Sequence, residues 1–384
     1  MPKEKRKKIP SLYAMLEGIP DKRRSQGKRH PLPAMLSLAC VGLLCGRQTI
    51  LGISEWVSDY GKQYMKRFGF TNREPPGQAT WYRVLGGIDW EDLESRACQW
   101  AQEVLKVLND KKALPGIAID GKTLRGSKKQ GAKNVHLLSA VRHELAVTLI
   151  QIAVDDKTNE IPTVIELLSR LVVEGHVLTM DALLTQRDIA QAILAQKADY
   201  VFIVKDNHPL LRKDIELLFT APPPLTRGDI WPTATTKNYG HGRIETRWLQ
   251  ATTALNDYLD WPGVQQVFQL VRQRSLKKYG TTSTETVYGF TSLTPDQASA
   301  DQLITLIRQH WTIENQVHWV RDVVFCEDFS QTRRNYLPHT MATLRNLVLN
   351  LLRANGIRHI SRARRRFMAC PNLALSLVGL HPGE

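Results

Sequence analysis

The 384-residue chain has few cysteines, and no two of its five form a CxxC pair. Cys40, Cys45, Cys98, Cys326 and Cys370 are odd in number and irregularly spaced. That argues against a disulfide-stapled secreted fold and against a zinc ribbon or finger. Reduced, buried thiols in a cytoplasmic protein fit better. Long apolar runs are also missing. The most apolar stretch, residues 32–46, falls short of the roughly 20 residues a membrane-spanning helix needs. It begins well behind the basic start (Lys3 to Lys8) and has no small-residue cleavage site after it, so a buried helix is expected rather than a signal peptide. Acids are scarce relative to bases: 37 Asp plus Glu stand against 52 Lys plus Arg, a formal net charge of +15. With no membrane segment in view, that excess points to nucleic acid as a polyanionic partner. The remaining composition, 42% hydrophobic and 23% charged, excludes a disordered or collagen-like chain. The length allows two or three domains.

Residues 1–110 read as helical. Pro33 sits where a helix can start, ahead of Leu36, Leu38, Val41, Leu43 and Leu44. Ile53, Trp56, Val57 and Tyr60 follow i, i+3, i+4, i+7 spacing. After a Pro75–Pro76–Gly77 break, Trp81, Val84 and Leu85 open another helix, and Leu93, Ala97, Trp100, Val104 and Leu108 continue the period. The pattern then changes. Residues 116–120 (GIAID), 177–181 (VLTMD) and 200–205 (YVFIVK) are short apolar runs, each ending in a charge. Residues 135–141 and 145–154 read as a hairpin or meander, and 161–173 and 186–196 as helices. Strands interleaved with helices predict an α/β fold. The expected divisions are a helical, DNA-binding region at 1–110, the first part of an α/β core at 111–220, a β-rich insertion at 221–296 opened by Pro222–Pro223–Pro224, core helices at 297–355, and a basic C-terminal tail at 356–384. Three basic clusters, at 3–8, 22–29 and 362–366, are candidate DNA contacts, each also readable as a solvated face.

Asp120 and Asp181 occupy equivalent places, each directly after a strand-like run. Sites in open α/β sheets form at the carboxyl ends of strands. If the two strands are neighbours, two carboxylates meet there, and a proton or a cation must separate them. Hard oxygen ligands suit Mg²⁺ or Mn²⁺. The alternative is that each aspartate caps the turn that follows it. Glu314 lies in a helical pattern whose apolar stripe includes Leu303, Leu306, Ile307 and Ile313. His310, Glu314 and His318, spaced i, i+4, i+8, are compatible with a zinc site that lacks a fourth ligand, or with a polar face packed by Trp311 and Trp319.

Five segments extend this reading. AIDGKTLRGS around Asp120, DDKTNEIPT at 155–163, TMDALLTQRDIAQAI around Asp181, ADYVFIVKDNH at 199–208 and HWTIENQVHWVRDVVFCED around Glu314 occur in that order. Together they resemble the H-repeat-associated branch of bacterial insertion-sequence DDE transposases. DKRRSQGKRHPL near the start and PPGQATWYRVL resemble the associated helical domain of that family. The resemblance implies a ribonuclease-H-like catalytic core with a β-rich insertion and an N-terminal helical domain. It implies a catalytic and metal-binding triad of Asp120, Asp181 and Glu314 holding two Mg²⁺ or Mn²⁺ ions. The broader group often shows a Tyr, Arg, Glu, Lys series, whose places here hold Ile307, His310, Glu314 and Arg321; only the glutamate is identical, and Arg321 keeps the charge.

The implied activity is metal-dependent cleavage of double-stranded DNA at element ends, followed by strand transfer into target DNA. The resemblance also implies a homodimer or higher assembly on DNA, in the bacterial cytoplasm at the nucleoid. Candidate DNA contacts are Lys122 and Arg125 in the turn after Asp120, Lys205 and Asn207 after the third apolar run, His241 and Arg243 in GHGRIETR, Arg321, and Arg83 on a candidate recognition helix at 78–85. Two alternatives remain: a DNA-binding protein of transposase descent without activity, and a structure-selective nuclease. An RNA-binding module is disfavoured, since no RNP pattern or GxxG loop in context is present.

Overall fold

The structure, a computed structural model, describes residues 8–71, 74–108, 114–128, 133–155, 160–222, 231–240, 242–276, 278 and 280–380. His241 and most of the 3–8 cluster lie outside the described residues. In chain order the first elements are α1 (Leu12–Glu17), α2 (Leu32–Leu44), α3 (Ile50–Trp56), α4 (Gln78–Gly86), α5 (Trp90–Leu108), β1 (Gly116–Thr123), β2 (His136–Arg142) and β3 (Val147–Ala153). Then come α6 (Glu160–Ser169), β4 (Val177–Met180), α7 (Arg187–Ala195), β5 (Asp199–Val204), α8 (Pro209–Thr220), β6 (Thr233–Gly240), β7 (Arg243–Thr252), β8 (Gln266–Leu276) and β9 (Thr281–Thr291). Helices α9 (Ala300–His310), α10 (Leu337–Ala354), α11 (Ile360–Ala369) and α12 (Pro371–Val378) complete the series. Among the described residues, no helix is long and apolar enough to cross a membrane.

The fold is α/β, as expected, and the chain forms two compact units that do not follow the linear divisions above. One comprises residues 112–120 and 159–312; the other comprises 1–111, 121–158 and 313–384.

The first of these is built on strands in the order β1-β4-β5-β9-β8-β7-β6. β1, β4 and β5 run parallel, with Ile119 opposite Met180 and Met180 opposite Phe202. β5 then pairs antiparallel with β9, Val201 opposite Thr291, and the remaining strands form an antiparallel meander. The β-rich stretch therefore extends the parallel sheet instead of standing as a separate module. Helix α9 covers one face; its Leu303, Ile304 and Ile307 pack with Val177, Val201, Leu249 and Phe268. A capping box fixes its start: Ser299 accepts from the Gln302 backbone, and the Gln302 side chain reaches back. On β5 the alternation expected of a strand sends Val201 into this cluster, while Tyr200 and Phe202 stack on each other and meet Phe290 edge-on.

The other unit is mainly helical. Helix α2, the apolar run of residues 32–46, is buried over almost its whole circumference because α1, α3, α10, α11 and α12 all pack on it. Helix α10 is likewise nearly all interior, lying against α2, α4, α5 and β3. The hairpin β2–β3 turns at residues 143–146, where Ala146 takes a left-handed φ of 51°. Residues expected as a basic tail instead form α11 and α12, which fold back onto α2. Ile360, Arg364 and Phe367 supply the inward face of α11.

In β9, Gly289 sits where an added Cβ would lie 2.3 Å from the Phe202 carbonyl oxygen and 2.4 Å from the Phe268 ring. Neither atom can give way without opening the β5–β9 pairing. Gly289→Ala is therefore expected to destabilise the protein by about 2–3 kcal/mol, read as a lower urea midpoint; an unchanged midpoint would mean the sheet is looser here than its register implies.

Candidate active site

The register of β1 and β4 decides where two of the acids stand. Ile119 is opposite Met180, and the next residue on each strand is an aspartate. Asp120, still within β1, and Asp181, just past the end of β4, thus stand at the same level on neighbouring parallel segments, with backbones about 5 Å apart, at the carboxyl end of β4, where α/β sites form. Asp120 is half-buried and Asp181 exposed. Asp181 also caps the turn Ala182–Leu184, accepting from the Ala182 N–H. The capping role weighed as an alternative is real at Asp181, and it holds one carboxylate oxygen while leaving the side chain at the surface.

Lys205, the residue after β5, places Nζ 3.3 Å from Asp181 Oδ1. Both side chains are more than half exposed, so this ion pair is screened by water and easily exchanged. Asn207 donates to the Ala182 carbonyl at 2.7 Å. The His208 ring lies 2.6 Å from the Thr185 carbonyl oxygen. These two residues fasten the Asp181 turn to the segment after β5. His310, the last residue of α9, lies with Nδ1 3.1 Å from Thr179 Oγ1 on β4. Burial pushes its pKa down to about 4, against the opposing pull of Asp181, so the imidazole is neutral at neutral pH.

Glu314 belongs to the other unit. The chain does not continue as a regular α-helix there: Ile313–His318 and Val320–Val324 are π-helical. Such wider turns are uncommon and concentrate at functional positions. They also break the constant 3.6-residue period on which the expected i, i+4, i+8 face depended. Glu314 is exposed, and His318 Nδ1 lies 3.3 Å from its Oε2. The hydrogen bond from His318 holds the Glu314 carboxyl below its ordinary pKa, so it is ionised at neutral pH.

Two expected phosphate contacts prove to be interior. Lys122 is buried, with Nζ 2.6 Å from both oxygens of Asp322 and 3.9 Å from Asp328. Burial raises the Asp322 pKa, and Lys122 works against that rise. Arg321 has no exposed surface. Its Nε bonds Glu327 at 2.7 Å, Glu327 also meets Arg345 at 3.2 Å, and Arg321 Nη1 reaches Gln151 at 3.4 Å. Burial works to raise the Glu327 pKa, but the two guanidiniums outweigh it and the pKa falls. Glu327 and Asp328 stand at the end of the quoted Glu314 segment, but nothing in a helical period signals that they turn inward to meet Lys122 and Arg321.

The other expected contacts stay outside. Arg125 is 80% exposed and only grazes Asp328 at 3.4 Å. Arg83 is exposed on α4. Arg243 is partly exposed, 3.7 Å from Glu245.

Residues 111–351 match the family described as "Transposase DDE domain". Residues 13–101 match a second family, described as "DDE_Tnp_1-associated". The chain is 31% identical over 361 residues to "Putative transposase YncI" of Escherichia coli O157:H7, covering 90% of this chain and 88% of that protein. It is 29% identical over 345 residues to "H repeat-associated putative transposase YhhI" of Escherichia coli K12, covering 87% and 88%. Among solved structures, a piggyBac transposase synaptic complex with hairpin DNA is similar at a TM-score of 0.45 and 12% identity, over 96% of this chain and 76% of that one.

The buried His310 generates a pH prediction. Its pKa in the folded protein is about 4 against an ordinary 6.5, so the unfolded chain takes the proton first. Stability from this residue is complete above pH 6.5 and is lost as pH falls towards 4, by roughly 3 kcal/mol in all. Urea unfolding in EDTA at pH 7.5 and pH 4.5 should show a smaller drop for His310→Gln than for the wild type. Equal drops would assign the acid sensitivity to other groups.

Proposed function

Because this chain belongs to the transposase DDE-domain family, matched over residues 111–351, we propose that it is a working DDE transposase. In this reading it cleaves double-stranded DNA at the ends of an insertion-sequence-type element and joins the freed 3′ ends to target DNA. The observation that supports the reading best is the β1–β4 register, in which Asp120 and Asp181 each directly follow the last paired residues, Ile119 and Met180.

Asp120, Asp181 and Glu314 are the proposed metal ligands. The donor set fits: all three offer hard carboxylate oxygens, which suit Mg²⁺ or Mn²⁺ better than a thiophilic metal. Two aspartates on neighbouring strand ends also need positive charge between or beside them, and Lys205 already supplies some at Asp181. Two ions held by these carboxylates would supply activation of the attacking oxygen and stabilisation of the leaving oxygen of the phosphodiester.

The chain's own residues do the positioning. The Ala182–Leu184 turn and Asn207 fix the approach of Asp181. His318 orients Glu314 and keeps it ionised. Neutral His310 braces Thr179 without adding positive charge that would compete with a cation. Lys205 exchanges its weak pairing with Asp181 for a DNA phosphate. Arg83, Arg125, Arg243 and His241 are further proposed phosphate contacts, whereas Lys122 and Arg321 act as interior counter-ions. Holding two element ends together calls for a dimer or higher assembly, acting at the nucleoid in the cytoplasm.

The test is cleavage of labelled duplex DNA bearing the flanking terminal repeats, with Mg²⁺, Mn²⁺ or EDTA. Metal-dependent nicking at the repeat boundary is expected, falling at least about a hundredfold in Asp181→Ala while DNA binding persists. Equal cutting by the variant would remove Asp181 from the site. Binding with no metal-dependent cutting by the wild type would leave a DNA-binding protein of transposase descent.

A further inference from the structure

Helix α11 makes a fixed ridge of positive charge from a segment without acids. Residues 355–380 contain no Asp or Glu. Arg364 points inward: its Nε donates to the Leu43 carbonyl at 3.0 Å, another nitrogen reaches the Val324 carbonyl, and the guanidinium lies over the Phe325 ring, 4.5 Å from its centroid. That one arginine, with Ile360 and Phe367 beside it, anchors the helix to the body of its unit. Arg358, Arg362, Arg365 and Arg366 remain exposed, and among the described residues none of them makes an ion pair. A depression of about 1290 Å³ runs along one flank of the ridge, edged by Lys8, Arg358, Arg362 and Arg366. A second, of about 410 Å³, lies on the other flank, edged by Arg358, Arg362, Arg365 and the exposed Trp319.

The arrangement has a cost in the free protein. On α11, Arg362 with Arg365 and Arg362 with Arg366 are like charges at i, i+3 and i, i+4, each pair mildly destabilising. No carboxylate in residues 355–380 relieves them. The inward packing is complete with Arg364, so the outward arginines contribute charge and not structure. Their repulsion is relieved when an extended polyanion lies along the ridge.

We propose that the α11 ridge binds the phosphate backbone of duplex DNA, independently of sequence. From Arg362 to Arg366 the helix advances roughly 6 Å, with Arg358 just ahead of its start. One strand of a duplex presents a phosphate about every 3.4 Å along the axis, so about three phosphates fall within reach of these side chains. Contacts of this kind position DNA without reading bases. The ridge therefore suits flanking or target DNA, which differs from site to site. That assignment rests on the transposase reading above, but the charge geometry and its test do not require cleavage.

The experiment measures binding of the full chain to random-sequence duplex DNA across a range of salt. The triple variant Arg362→Gln, Arg365→Gln, Arg366→Gln is expected to flatten the slope of log affinity against log salt by about 2 to 3, at roughly 0.9 per phosphate lost. The corresponding triple Lys variant should keep the wild-type slope. Thermal unfolding of the Gln variant should be unchanged or raised, because repulsion is removed; a merely structural role would lower it. If the triple variant does not fold, the single variant Arg365→Gln gives a slope change of about one. An unchanged slope in a folded variant overturns the proposal. So does arginine-dependent binding of poly-glutamate that is tighter than that of duplex DNA of equal charge at the same salt, which would assign the ridge to an acidic protein. Failure of the wild type to cut terminal-repeat DNA would count against the transposase reading alone.

Discussion

The parallel pairing of β1 with β4 is the constraint on which the proposed chemistry depends. Side chains alternate across a sheet, so a slip of one residue would turn every side chain of β1 to the opposite face. The register is held by runs buried on both faces, Ile117 to Ile119 on β1 and Val177 to Met180 on β4, with β5 alongside. Given that register, the carboxylate that closes each apolar run falls at the same level, Asp120 within β1 and Asp181 just past β4, and the two aspartates arrive together. Lys205 arrives at the end of the third parallel strand by the same logic and finds Asp181. The antiparallel strands β9 to β6 extend the sheet away from this edge and leave it to the acids.

Environment, more than residue type, separates the cations. Lys205 and Lys122 have the same ammonium group, yet Lys205 is mostly exposed and can trade partners, whereas Lys122 is locked against Asp322 in the interior. Arg321 and Arg345 share Glu327 with almost no solvent. Such a pairing gains little net stability over apolar packing, but breaking it would strand a buried charge. The cluster therefore fixes the chain that follows Glu314 in one conformation. Glu94 extends the polar interior: it accepts from the Gln151 N–H at 2.9 Å, and Thr343 donates to it at 2.6 Å. Burial raises its pKa, and these hydrogen bonds limit the rise.

Much of this was legible in the residues because it follows from local periodicity. The runs GIAID and VLTMD declared both strands and both aspartates, since an apolar run ending in a carboxylate is what a buried strand reaching a site looks like. The apolar stretch at 32–46 declared a helix too short to span a membrane and too apolar to be half-exposed. The rest turned on tertiary partners. Strand β6 (TATTKNYG) is polar and mostly uncovered, so its strand character comes from pairing with β7 and not from its own pattern. Lys122 and Arg321 read as surface cations until the acids that bury them are placed. The arginines of residues 362–366 read as a loose tail because the anchoring contacts of Arg364, to Leu43 and to Phe325, lie far away in sequence. The π-helical turns around Glu314 leave no mark in a 3.6-residue count.

The central proposal is that Asp120, Asp181 and Glu314 serve one metal centre. Iron-directed cleavage of the polypeptide tests it without DNA. Fe²⁺ bound in place of Mg²⁺, with ascorbate and peroxide, releases radicals that cut the backbone nearest the ion. The account predicts fragments ending near residues 120, 181 and 314, all suppressed by excess Mg²⁺ and all lost together in Asp120→Asn. Cuts at only one of the three segments, or cuts that survive Asp120→Asn unchanged, would contradict a shared centre.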